Sequence, residues 1–104
     1  MERAALPMVQ QIEHLLADAE PSLADVEETL TQGYAKALAL EVERLRIERR
    51  LGEVVRTATA DQAAEIRQLG TRLTSADGEL HRLRTVLGTL RDRARVLRAA
   101  AAAS

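Results

Sequence analysis

An all-α fold made of coiled-coil helices is predicted by three features: a residue set suited to long helices, two heptad seams of apolar residues, and a charge that changes sign along the chain. The 104 residues include no Phe, Trp or Cys, and Tyr34 is the only aromatic, whereas Ala, Leu, Glu and Arg recur throughout. These are strong helix formers, and the aromatic residues on which sheets draw are almost absent. The length suits a single helical domain over 1–104, too short for two substantial cores.

The first element is a short amphipathic helix over 6–19. Pro7 suits a first turn, and Met8, Ile12, Leu15 and Ala19, with Leu16 beside them, recur at helical spacing. Glu20-Pro21-Ser22 ends it. Ser22 and Asp25 then form an S-x-x-D capping signature, with Pro21 and Val26 placed as a hydrophobic staple, so a second helix starts at residue 22.

From there the apolar positions alternate steps of four and three. The first seam, over 22–58, runs Val26, Leu30, Ala37, Leu40, Ile47, Leu51, Val54 and Ala58, interrupted only by Gly33 and Arg44. The second, over 62–101, runs Ile66, Leu69, Leu73, Ala76, Leu80, Leu83, Leu87, Leu90, Ala94, Leu97 and Ala101 without a gap. Both are expected to be self-association seams. They differ in phase, because Ala58, Gln62 and Ile66 are separated by four and four, a stutter.

Two chain paths satisfy this pattern. One is a single coiled-coil helix over about 22–101 that passes through the stutter. The other is an antiparallel helical hairpin turning near 57–61, with arms of similar length and with Thr59 and Gln62 placed to cap the new helix. The segment 57–61 has neither Gly nor Pro, which favours the first path. Gly70 to Gly78 is poor in helix formers, yet Leu73 and Ala76 keep the heptad phase across it, so it is expected to stay helical. The alanines after Arg98 have little to contact and are expected to fray.

Charge adds orientation to a net of only −1. Residues 1–30 carry seven acids and one base, whereas 80–104 carry six Arg and one Asp. A parallel dimer would set Arg93 against Arg98 of its partner, while a hairpin or antiparallel dimer sets Asp25, Glu27 and Glu28 near the arginines. An antiparallel dimer or larger bundle is the expected homo-oligomer.

Site chemistry is absent from the pattern. His14 and His81 have no partner at a metal-ligand spacing, and no phosphate loop, dinucleotide fingerprint or nucleophile elbow occurs. Neither catalysis nor a metal or cofactor is expected. No apolar run approaches a membrane span, residues 1–16 are too polar for a leader, and cysteine is missing, so a cytoplasmic location is expected.

Two features point to partners. Tyr34, Leu38, Val42 and Leu45 lie opposite the first seam at 100° per residue and form a possible second interface for another helix. Arg82, Arg84, Arg91, Arg93, Arg95 and Arg98 form a possible contact for an anionic partner, although no aromatics interleave for stacking on nucleic acid. The expected function is that of a structural protein: a self-associating coiled-coil adaptor or spacer that binds partner helices. The alternatives are a helical-hairpin export or assembly chaperone gripping a client helix, and an electrostatic binder of nucleic acid or anionic surfaces.

Overall fold

The computed structural model of the protein describes residues 6–57 and 59–104. Within them the chain forms helix α1 (Met8–Ala17), helix α2 (Leu23–Arg56), a 3₁₀ turn (Ala60–Gln62) and helix α3 (Ala63–Ala103), with no strand among the described residues. α2 and α3 pack together as a hairpin. The single helix over 22–101 is therefore not the path taken, because α2 ends at Arg56.

The start of α2 follows its capping signature. The Asp25 N–H donates to Ser22 Oγ at 3.0 Å and the Val26 N–H to the Ser22 carbonyl at 3.0 Å, while the staple residues Pro21 and Val26 are both buried. α1 is shorter than 6–19. Pro7 stands at its N-cap with ψ 151°, outside the first turn, and its carbonyl accepts from the Gln11 N–H at 3.0 Å.

The turn forms without glycine, proline or any residue of positive φ among the described residues. Thr57 closes α2 by donating both its N–H (3.2 Å) and its hydroxyl (3.0 Å) to the Glu53 carbonyl. Thr59 is extended (φ −119°, ψ 173°), a conformation natural to a β-branched residue, and its N–H donates to the Gln62 side-chain carbonyl at 3.0 Å. The extended Thr59 takes part in the reversal, whose segment contains neither glycine nor proline. Ala58 of the first seam lies outside the described residues.

α3 is helical through Gly70–Gly78, as its heptad phase requires, with the Thr71 and Thr74 hydroxyls bonded back to the carbonyls of Arg67 and Gly70. It also continues through the terminal alanines to Ala103, where fraying was expected; alanine sacrifices the least side-chain freedom in a helix.

The described chain divides into two compact units. One combines the described residues up to Ala37 with Arg82–Ser104, and the other comprises those of Leu38–His81. In the first, three helices meet over Gly33: a Cβ built there would stand 2.5 Å from Leu87 Cδ2 of α3 and 3.5 Å from Ile12 Cδ1 of α1. The interruption in the first seam is thus a hollow filled by Leu87. In the second unit two helices alone form the core, with Ile47, Val54, Leu69 and Ala76 buried and Leu51, Ile66 and Leu73 partly so.

Gly33→Ala tests the hollow. Alanine adds about 0.5–1 kcal/mol of helix propensity, but displacing the buried Leu87 methyl costs about 1–3 kcal/mol. Gly33→Ala should therefore lower the melting temperature, whereas Gly88→Ala, with open space around its Cβ, should raise it. Thermal unfolding followed by circular dichroism checks both signs, and a rise for Gly33→Ala would show that the hollow yields.

Candidate helix-binding faces

Helical periodicity brings the seam residues together inside one chain. In the first unit Val26 and Leu30 of α2 and Leu83, Leu87 and Leu90 of α3 are buried, as are Ile12 and Leu15 of α1. Leu97 is half-buried and Ala101 is exposed. In the second unit Leu40, Ile47 and Val54 are buried with Leu69 and Leu80. The seam expected to join separate copies already loses its water within a single copy.

The opposite face of α2 stays open. Leu38 is 61 % exposed, Leu45 56 % and Val42 39 %, and Tyr34, one turn earlier on the same helix, is 47 % exposed. At 100° per residue Leu38, Val42 and Leu45 fall within about 60° of one another. Glu41 and Glu48 flank this stripe on one side and Arg46 on the other.

Charged side chains line the edges between α2 and α3. In the first unit Arg98 Nε donates to Glu27 Oε2 at 2.9 Å. In the second, Arg72 meets Glu43 at 2.9 Å, Arg50 meets Glu65 at 3.0 Å, and Arg44 Nε lies 3.2 Å from Asp77 Oδ1. The last contact is an ion pair without the alignment of a hydrogen bond, although that nitrogen has no exposed surface. Arg44, the second interruption of the seam, thus points its charge to the rim and pairs it with an acid of the opposite helix.

The arginine-rich end of α3 separates into two strips. Arg84, Arg91, Arg95 and Arg98 share one side of the helix and Arg82 and Arg93 the other, with about 140° or more between them at 100° per residue. Arg98 is occupied by Glu27, and Arg95 lies 3.6 Å from Asp92. Arg93 is half-buried and the other five are exposed. A single continuous cationic patch is not what the helix presents.

One feature went unnoticed in the sequence. Arg46, Arg50 and Arg72, with Glu43, surround an open groove of about 220 Å³ floored by Ile47 and Leu69. Its signal was available in the residues that flank the two seams, once their antiparallel pairing is known. Among the described residues no cluster of His, Asp and Glu is arranged to hold a metal ion, and no helix is long and apolar enough to cross a membrane.

The Glu27–Arg98 pair is exposed by about half on each side, which limits its worth to about 0.2–1 kcal/mol. A double-mutant cycle with Glu27→Gln and Arg98→Gln, read from urea midpoints, should give a coupling in that range that shrinks with added salt; a coupling of zero would remove the pair from the forces that orient the hairpin.

No protein-family model, curated protein or solved structure matches this chain.

Proposed function

We propose that the chain is a structural interaction protein, an adaptor that associates with a second copy of itself through the outer face of α2. The observation that carries this reading is the exposed stripe Leu38, Val42 and Leu45, extended by Tyr34, on a helix whose opposite side is already filled. Large apolar side chains aligned on one exposed face are a recurrent mark of helix-to-helix contact. Solvent-facing positions of a hairpin that met no partner would be free to hold charges, as Arg49 and Glu53 of the same helix do.

The flanking charges narrow the orientation. In a parallel pairing Glu41 of one copy faces Arg46 of the other, whereas antiparallel pairing sets Glu41 against Glu48. Parallel packing of α2 on α2 therefore brings opposite charges together and the reverse brings two acids together. The expectation of an antiparallel dimer built on the seams is replaced in this proposal by a parallel contact on the outer face.

Light scattering over a micromolar to millimolar range tests the proposal. The unaltered chain should rise from its 11.4 kDa monomer mass toward twice that value, and Leu38→Lys/Leu45→Lys should hold the monomer mass with its helical signal unchanged. A constant monomer mass for the unaltered chain would end this reading.

A further inference from the structure

Along one edge of Leu38–His81 the pairing of charges has a gap. Arg72 Nη2 of α3 donates to Glu43 Oε1 at 2.9 Å, and about two turns further along α2 Arg50 donates from Nε (3.1 Å) and Nη2 (3.0 Å) to Glu65 Oε2. Arg46 stands between these pairs and has neither a hydrogen bond nor an ion pair among the described residues. The α3 residue that lines the groove with it, Leu69, is apolar and buried. Arg98 and Arg44, by contrast, each meet an acid of the facing helix.

The groove at this gap holds about 220 Å³, and its rim sets Arg46, Arg50 and Arg72 against the single acid Glu43. That volume is the share of about seven water molecules, room for one small molecule. Guanidinium groups gathered at one rim repel each other, and an anion between them turns the repulsion to attraction. Arg72 reaches Glu43 through one of its three nitrogens, and all of Arg46 remains to be engaged. A carboxylate brings two oxygens and one charge, which a single guanidinium satisfies. A phosphate monoester brings three oxygens and nearly two charges at neutral pH, which suit several. Ile47, Leu69 and the methylene stems of the arginines supply an apolar surface beside that charge.

The geometry points to a binding site for a small phosphate monoester with an apolar substituent. The phosphate contacts Arg46 first, with Arg50 and Arg72 at its sides, and the substituent lies over Ile47 and Leu69. None of Leu38, Val42 and Leu45 lines the groove, so the site does not rest on self-association.

Phenyl phosphate titrated into the isotope-labelled full chain at physiological salt, followed by amide resonances, tests it. Saturable shifts centred on Ile47 and Leu69 are expected, at about millimolar concentration for a ligand of this size. Inorganic phosphate and benzoate should each bind at least about threefold more weakly, the first for want of the ring and the second for want of charge. Arg46→Gln, at an exposed position, should keep the helical signal and weaken phenyl phosphate at least about tenfold. Arg67→Gln, equally exposed but outside the groove, should leave the affinity unchanged. Equal losses for the two variants would reduce the binding to general charge and overturn the proposal. So would shifts without saturation, shifts centred elsewhere, or a benzoate or inorganic phosphate affinity matching that of phenyl phosphate.

Discussion

Leu87 occupies the space over Gly33, and the arrangement around it depends on that contact. A leucine methyl that stands where a β-carbon would be draws α3 close to α2, and Ile12 of α1 lies in van der Waals contact with the same spot. Close approach of backbones removes water from the neighbouring apolar side chains, and the burial of Val26 and Leu90 to complete exclusion expresses it. Leu38–His81 lacks a third helix of this kind, and its core includes Leu51, Ile66 and Leu73, which stay only partly covered.

Hydrophobic burial does not by itself select how two helices run, because leucine seams meet in either direction. Selection is left to the edges, where Arg98 finds Glu27 and Arg50 finds Glu65. Each such pair is weak because both members remain in water, yet reversing a helix would replace attraction by repulsion, and the difference between the two arrangements exceeds the worth of any one pair. Arg44 shows the same economy at a seam position: its charge is carried out to Asp77 rather than enclosed.

The helical class, the Ser22 cap, the persistence of helix through Gly70–Gly78 and the side of α2 that faces inward were all legible in residue spacing, because each depends on local geometry of 3.6 residues per turn. The reversal after Arg56 was less so. Its one mark in the sequence, the capping pair Thr59 and Gln62, does form, but glycine and proline, the stronger signals of a turn, are missing from 57–61. Nor does a heptad say whether its partner belongs to the same chain: Leu83 and Leu90 would look alike in a dimer and in a hairpin. The arginine groove near Ile47 stayed hidden for the same reason, since Arg46 and Arg72 become neighbours only after the chain has folded back.

The turn built on Thr57 and Thr59 has a consequence for how the protein tolerates change. None of its described residues has a positive φ, and the side chains of Thr57, Thr59, Ala60 and Asp61 are exposed, so at these positions backbone sterics demand no particular amino acid. Closing a longer loop costs only about 0.6 kcal/mol for each doubling of its length. The connection between α2 and α3 is therefore a place where extra sequence, whether a tag, a linker or an inserted segment, enters the chain while the two helices retain their partners.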